Sequence, residues 1–454
     1  MKTSVLWSLR LGFSAAQSKK IETMGLEAFL LASFNVNKDN KLPMCLKDAP
    51  KSSKEYRELR KNAKDFTAEQ QKEFRQEQRK IAVELQAWWL NKMTTSEYPL
   101  IEQMVCFWHN HFVSTLQKVK VNYWIYQHHM ILRHHAFGNF KELTKLIIKS
   151  NAMISYLDNS KNRDHNFNEN LSRELLELFT LGIGNYTEND IKNGAKALAG
   201  LTQGDDHGIY RPILQNNDTI TYLGKTGKFK SDDLIDIIFE QPEIPYLLTR
   251  KLLQWFVEDQ PSDVKVKALG NYFREVNFEI KPLLEKMFTE EYVAHQSGTK
   301  IKDPLRFILQ LKHELNLSID KPEQILFFLK QQGMELFNQP NVKGWVGGNS
   351  WLSSQTYLQR NNVADLLCAG KLIRGGKMEK IMGVPKISHY TREMNNKEII
   401  ESLCENLVFE VSPQMQNDME TLLKYDFNAN NPNADAAILR VFNYLIKTPE
   451  FQLI

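Results

Sequence analysis

Apolar residues recur at helical spacing along most of this chain. Leu26, Leu30 and Phe34 fall on one face of an early predicted helix. Residues 54–93 are rich in Lys, Arg, Glu and Gln, a pattern typical of a solvated helix, and they turn apolar toward their end. Residues 100–116 are apolar on several sides, which indicates a helix enclosed by its neighbours. The pattern therefore predicts a helical protein with at least one fully buried helix.

Two parts of the chain depart from this pattern. Residues 209–214 and 219–223 flank Asn216-Asn217-Asp218 and predict a β-hairpin. Residues 338–350 are irregular and rich in glycine around Trp345, which predicts a long structured loop. The sequence thus predicts a mainly α, multi-helix globular bundle with a small β-hairpin insertion and a long Gly/Trp loop.

We expect one helical domain over residues 1–454, since 454 residues suffice for a sizeable core. The alternative is a subdivision into N-terminal helices (1–100), central motif-bearing helices (101–260) and C-terminal helices with the Gly/Trp loop (261–454).

A polar stripe runs along the helix predicted over residues 168–182. Leucines and Phe179 point one way, whereas Glu169, Arg173, Glu177 and Thr180 share the other face. Glu169 and Glu177 are separated by about 12 Å along a helix axis, and a glycosidase carboxylate pair needs about 5–9.5 Å. They are therefore not an acid–base dyad, and each could instead pair with Arg173. The stripe is either a salt-bridge ladder or part of a catalytic or ligand-binding site.

Asn168 and Asn170 need many hydrogen-bond partners at the start of this helix, which favours a functional role, although Asn168 is also a candidate helix cap.

Histidines cluster in the middle of the chain. His109 and His111 are two residues apart, about 200° around a helix, so they cannot easily share one metal ion. His109 is either a hydrogen-bonded core histidine or a group that faces the polar stripe across a cleft. His135 belongs to a further group on or beside the next helix. A mixed His, Glu and Asp site would suit zinc, iron or manganese, but the spacing sets no ligand number, so the cofactor stays open.

Charge, cysteine spacing and apolar runs limit the partners and the compartment that the sequence predicts. A net charge of +4 is too mild for a length of 454 residues to favour nucleic acid. The four cysteines lie far apart and predict separate, largely buried thiols. Arg10 interrupts the apolar start, so we expect no export signal, and no apolar run reaches the ~18–20 residues of a membrane span. A soluble, cytoplasmic protein is the expectation for this chain.

Several separated blocks resemble successive signatures of one bacterial family. The main blocks are Phe107-Trp108-His109-Asn110-His111-Phe112, His135-Ala136-Phe137-Gly138-Asn139-Phe140, Tyr156-Leu157-Asp158-Asn159 and Asn168-Glu169-Asn170-Leu171-Ser172-Arg173-Glu174-Leu175-Leu176-Glu177-Leu178-Phe179-Thr180-Leu181-Gly182. They continue with Arg250-Lys251-Leu252, Pro340-Asn341-Val342-Lys343-Gly344-Trp345-Val346-Gly347-Gly348 and Thr448-Pro449-Glu450-Phe451-Gln452-Leu453. In this order the blocks resemble the family catalogued as domain of unknown function 1800 (DUF1800).

The resemblance implies a large bacterial protein without a settled activity, often exported and frequently encoded beside a sulfatase-like companion, DUF1501. The sequence departs from the family pattern in three places. We expect no export signal, Gln215 stands where many relatives have His, and Val346 replaces the usual Pro after Trp345.

Two function classes stay open. The first is an enzyme, a hydrolase or an oxidoreductase, whose catalytic residues near the Gly/Trp loop are His109, His135, Glu169, Arg173 and Glu177. The second is a noncatalytic binding or assembly protein that acts with the DUF1501 companion. Exposed tryptophans of the loop would then contact a partner or polysaccharide, and the predicted binding residues are Asn168, Asn170, Asn341, Trp345 and Trp351.

Overall fold

A computed structural model describes most of the chain: residues 1–36, 41–62, 67–294, 298–319, 321–374, 377–380, 384–387, 389–391, 393–424 and 434–454. These residues form 21 α-helices and three two-stranded sheets, so the mainly α fold class is confirmed.

The helices of the first half are α1 (Thr3–Leu11), α2 (Ser18–Met24), α3 (Leu26–Phe34), α4 (Ser53–Asn62), α5 (Ala68–Thr95), α6 (Leu100–His111), α7 (Asn122–His134), α8 (Phe140–Ile148), α9 (Asn151–Tyr156), α10 (Asn170–Glu174) and α11 (Glu188–Ala197). The later helices are α12 (Ser231–Phe239), α13 (Ile244–Phe256), α14 (Asp263–Glu275), α15 (Ile280–Ala294), α16 (Pro304–Glu314), α17 (Pro322–Gln331), α18 (Ser354–Cys368), α19 (Asn396–Leu407), α20 (Pro413–Lys424) and α21 (Ala434–Ile446).

Helix α6 lies at the centre of the core, as its apolar pattern predicts. Every residue of α6 except Asn110 is buried, and Trp108 is fully enclosed. Near its start Glu102 accepts a hydrogen bond from Arg133 of α7 at 2.6 Å, with both side chains buried. A buried ion pair of this kind is costly to break, because the remaining charge would have no partner. Helices α6 and α7 are therefore fixed against each other.

Helix α5 joins the charged surface to this core. Its first half is exposed and charged, and it begins with a capping box between Thr67 and Gln70. Leu85, Trp89 and Leu90 near its end are buried. The predicted docking of this end on the core is confirmed.

The predicted start of α11 is also confirmed, because Thr187 and Asp190 form a reciprocal capping box there.

The predicted hairpin pairing is wrong. The six strands pair in chain order as β1 (Leu201–Thr202) with β2 (Ile209–Tyr210), β3 (Ile220–Tyr222) with β4 (Lys225–Gly227), and β5 (Lys371–Arg374) with β6 (Lys377–Lys380). The two predicted runs thus pair with other segments and not with each other. Pro212 opens a 3-10 turn after β2 and has no N–H to donate. Leu223 and Gly224 both have positive φ, the backbone of a tight hairpin turn that returns β3 onto β4.

No described helix is both long enough and apolar enough to cross a membrane.

Candidate functional site

A cleft of about 260 Å³ opens between the end of α6, helix α13 and the Gly/Trp loop. We call it the Lys251 cleft. Its lining combines aromatic rings, glycines and charged groups: Phe107, Asn110, His111, Lys251, Gln254, Trp255, Asp259, Lys300, Lys343, Trp345, Val346, Gly347, Gly348 and Trp351.

The end of the polar-striped helix supplies two backbone acceptors to this cleft. The chain is α-helical only over α10 and then continues as a π-helix over Leu175–Thr180. The last carbonyls of a helix lack partners within the helix. Here Leu178 O accepts from Lys251 Nζ at 2.8 Å, and Phe179 O bonds to His111 Nε2 at 3.0 Å. Since π-helical turns are frequent at functional sites, this local departure from α geometry supports a role for the cleft.

The change of helix type also corrects one prediction. Thr180, which is predicted on the polar face, is buried, and its hydroxyl donates to Leu175 O within the π-turn.

The contacts of His111 determine how Lys251 is held. A carbonyl oxygen only accepts, so the hydrogen in the bond to Phe179 O belongs to His111 Nε2. In the neutral ring His111 Nδ1 then carries a lone pair and accepts from Lys251 Nζ at 3.3 Å. Lys251 therefore donates to two uncharged acceptors. Burial lowers the pKa of Lys251 from 10.5 to about 8, because no carboxylate offsets the loss of water.

Lys300 lies in the same cleft with a different set of partners. Its Nζ donates to Gln254 O at 2.7 Å and to Asp259 Oδ1 at 3.3 Å. Burial lowers the pKa of Lys300, while the Asp259 carboxylate acts in the opposite direction. Asp259 is itself fixed, because its Oδ2 accepts from the backbone N–H of Ile301 at 2.9 Å. With exposed Lys343 at the rim, the cleft holds three lysines and one carboxylate.

Asn110 fastens the Gly/Trp loop over the cleft. Its Oδ1 accepts from the backbone N–H of Trp345 at 2.6 Å. Gly344 has φ +83, and a Cβ at this position would lie 2.5 Å from Asn110 O, so only glycine fits. Asn341 shapes the same turn, because its Oδ1 accepts from Lys343 N at 2.8 Å. The side chain of one helical residue thus sets the position of the loop.

The tryptophans of this loop are not exposed, so that prediction is wrong. Trp345 and Trp351 are only 4% and 5% exposed, since they pack inward as part of the cleft wall. The buried indole N–H of Trp345 has no acceptor among the described residues. Val346 in the same loop is exposed.

The charged residues of the striped helix form a network outside the cleft lining. Arg173 pairs with Glu169 at 3.0 Å, as the i,i+4 spacing predicts, and with both carboxylate oxygens of Glu188 at 2.9 and 3.0 Å. Hydrogen bonds to Glu188 raise the pKa of Arg173. Glu177 does not reach Arg173 and instead accepts from the hydroxyl of Tyr186 at 3.1 Å. The arrangement is a partly exposed ion-pair network that ties α10 to α11.

His109 and His135 lie apart from this network. His109 is buried beside Trp89, and its Nε2 contacts His129 Nδ1 at 3.2 Å. Burial lowers the pKa of His109 well below its ordinary value, so the ring is neutral. His135 is half-buried just after α7, two residues beyond Arg133. Neither histidine lines the Lys251 cleft.

The two asparagines of the striped helix have local roles in the backbone. Asn168 Oδ1 accepts at 2.9 Å from the backbone N–H of Asn170, which is the first residue of α10. The N-cap position itself is occupied by Glu169. Asn170 is exposed. These contacts start the helix and do not reach the cleft lining.

The described residues contain no group of three or more His, Cys, Asp or Glu side chains placed to hold a metal ion. A family model described as "Protein of unknown function (DUF1800)" matches residues 5–453. The chain belongs to the DUF1800 family. No match was found among curated proteins or among solved structures.

In this DUF1800 protein the structure brings together only part of the sequence-predicted set. Trp345 and Trp351 line the Lys251 cleft, and Asn341 shapes the loop that carries them. The other predicted residues, His109, His135, Asn168, Glu169, Asn170, Arg173 and Glu177, do not line it.

Sequence reasoning missed the cleft lysines and their partners. Lys251 follows Leu248 by three residues and precedes Trp255 by four, so it lies on the apolar face of α13. The sequence feature that could have identified Lys251 is a lysine within an apolar helical stripe. Lys300 and Asp259 lie outside helices, and no periodicity marks them.

Proposed function

We propose that this DUF1800 protein binds a small oxyanion, a carboxylate, phosphate or sulfate group, in the Lys251 cleft. The observation that carries the proposal is the pair of lysine nitrogens, Lys251 Nζ and Lys300 Nζ, in one cleft with a single carboxylate. Each nitrogen has two protein acceptors in the described structure and one further N–H position when it is protonated.

The charge balance favours an anion. A buried ammonium group without a counter-charge is costly, and in the described structure Asp259 pairs with Lys300 and not with Lys251. An oxyanion beside Lys251 would supply the missing charge and would be held by charge-assisted hydrogen bonds. Lys343 at the rim adds a third positive group.

The wall of the cleft indicates a ligand that has a carbon skeleton as well as a charge. Trp345, Trp351 and Trp255 form part of the wall around the lysines. Aromatic side chains of this kind pack against flat or ring-shaped groups. A volume of about 260 Å³ suits a small molecule and not a long chain.

Intrinsic tryptophan fluorescence and calorimetric titration test the proposal with a panel of acetate, phosphate, sulfate and chloride. We expect at least one oxyanion to bind and to change the fluorescence of the cleft tryptophans. Lys251→Met and Lys300→Met should each weaken that binding about 10- to 100-fold, the value of one hydrogen bond to a charged group.

The matched control is Lys267→Gln, which removes an exposed lysine from α14 outside the cleft. Binding that is equally weakened by this control would come from net charge alone and would contradict the proposal.

The enzyme hypothesis based on His109, His135, Glu169, Arg173 and Glu177, and the assembly hypothesis with a DUF1501 companion, remain separate proposals. The Arg173 network offers a way to distinguish them from the cleft. Glu169→Gln should leave anion binding unchanged if the cleft is the ligand site, because Glu169 contacts Arg173 and lines no part of the cleft.

A further inference from the structure

We propose that Lys251 is a nucleophilic amine that forms an imine with an anionic ligand carrying an aldehyde or ketone group. This inference rests on the proposed anion binding in the same cleft, and it narrows the ligand class to small oxo acids and phosphorylated carbonyl compounds.

The hydrogen bonds of Lys251 leave its nitrogen ready for this role. A neutral amine has two hydrogens and one lone pair. Leu178 O at 2.8 Å and His111 Nδ1 at 3.3 Å each accept one hydrogen. The lone pair therefore occupies the remaining tetrahedral position. Both acceptors are fixed, since His111 is buried and bonded to Phe179 O, and Leu178 lies within the π-helical segment Leu175–Thr180, so the amine is held in one orientation.

Lys251 is distinguished from the other two cleft lysines by its partners. Lys300 contacts the Asp259 carboxylate, which favours the charged ammonium form. Lys343 is exposed at the rim, where water also favours the charge. Within the described structure the hydrogen-bond acceptors of Lys251 are uncharged, and its pKa of about 8 leaves about a tenth of the amine neutral at pH 7. In this proposal Lys251 is the nucleophile, and Lys300 and Lys343 are the cationic groups that bind the anion.

The reaction balances without a further reagent. The Lys251 lone pair attacks the carbonyl carbon, the C–N bond forms as the C=O π bond breaks, and the oxygen takes up one proton for the one that the nitrogen loses, which gives a carbinolamine. His111 Nδ1, 3.3 Å from the nitrogen, is placed to accept the proton that the nitrogen releases. The hydroxyl group then leaves as water with a second proton, which balances the second hydrogen that the nitrogen loses, so amine and carbonyl give imine and one water. Lys300 and Lys343 hold the carboxylate or phosphate of the same ligand.

Reductive trapping tests this inference on the intact protein. Sodium cyanoborohydride converts an imine into a stable secondary amine, which peptide mass mapping locates. The probe is glyoxylate, a small aldehyde with a carboxylate, and propionaldehyde is its uncharged counterpart. We expect glyoxylate to modify Lys251 at least about tenfold faster than the exposed Lys267, with a rate that levels off above pH 8.

Two variants separate the roles of the lysines. Lys251→Arg keeps a positive charge and should abolish trapping at this position. Lys300→Met should slow trapping of glyoxylate about tenfold, the loss of one charged anchor, while trapping of propionaldehyde changes less than about twofold.

The outcomes distinguish this inference from the proposed function. If glyoxylate changes the tryptophan fluorescence in a Lys251-dependent way but Lys251 is modified no faster than Lys267, the imine is wrong and anion binding stands. If glyoxylate neither binds nor modifies Lys251, and no other oxyanion of the panel binds, both proposals fail.

Discussion

Lys251 and Lys300 share one cleft, yet their neighbours give them different chemistry. Lys300 is paired with Asp259, whereas the hydrogen-bond partners of Lys251 among the described residues are Leu178 O and His111. The charged form of a buried lysine is stabilised mainly by the groups that face it. The Asp259 carboxylate therefore favours the charged form of Lys300, whereas Lys251 has a pKa of about 8. The cleft therefore combines a lysine that is paired with a carboxylate and a lysine that can lose its proton near pH 8.

Lys251 should also make the stability of the protein depend on pH in a defined range. Its folded pKa of about 8 lies below its ordinary 10.5, so between these values the unfolded chain binds more protons and stability rises with pH. The full change is at most about 3 kcal/mol.

Urea unfolding of wild type and Lys251→Met at pH 7 to 11 measures this effect. The free energy of unfolding of the wild type should increase relative to the variant as pH rises through this window. A difference that stays constant from pH 7 to 11 would show that Lys251 titrates at its ordinary value.

At the scale of elements, the site depends on the place where three segments meet. The π-helical end at Leu175–Thr180 supplies carbonyls, α6 supplies Asn110 and His111, and the Gly/Trp loop closes over them. The contact of Gly344 with Asn110 is too close for any side chain. The loop position is therefore set by backbone geometry as well as by hydrogen bonds.

Two glycine substitutions in the loop test this statement. Gly344→Ala combines positive φ with a Cβ 2.5 Å from Asn110 O, whereas Gly347→Ala has positive φ and no atom within 4 Å. Both should lose about 1–3 kcal/mol from backbone strain. Gly344→Ala should lose about 1–3 kcal/mol more from overlap and should weaken anion binding. Equal losses by thermal and urea unfolding would mean that the loop does not need its close approach to α6.

The sequence predicts elements better than it predicts the site, for physical reasons visible in single residues. Hydrophobic periodicity locates α6 and the end of α5 that packs on the core, because the positions that these helices bury are mainly apolar. It also finds the Arg173–Glu169 pair, which is local. The pairing of β1 with β2 and the contact of Lys251 on α13 with His111 on α6 were missed. Hydrophobic periodicity shows which residues of an element are buried, but it does not specify the partner against which they pack.

At the scale of the whole molecule, contacts cross all three segments of the possible subdivision. Arg306 Nε donates to Leu9 O at 2.9 Å, Gln86 Nε2 donates to Leu336 O at 2.7 Å, and Leu116 N donates to Phe337 O at 3.0 Å. The Lys251 cleft itself takes residues from the central and C-terminal segments. These contacts favour one cooperative unit.

A single substitution near the end of the chain tests this cooperativity. Phe451 is fully buried and packs on Phe307, so Phe451→Ala should destabilise the protein by about 3–5 kcal/mol. We expect far-ultraviolet circular dichroism and tryptophan fluorescence to report the same single, shifted transition. A separate early transition confined to the C-terminal segment would instead support the subdivision into 1–100, 101–260 and 261–454.

The most direct measurement is a crystal structure with the tightest-binding anion of the panel. We expect oxygen atoms of that anion within hydrogen-bond distance of both Lys251 Nζ and Lys300 Nζ, next to Trp345. An anion bound elsewhere at saturating concentration, with this cleft empty of it, or a panel in which nothing binds, would contradict the account.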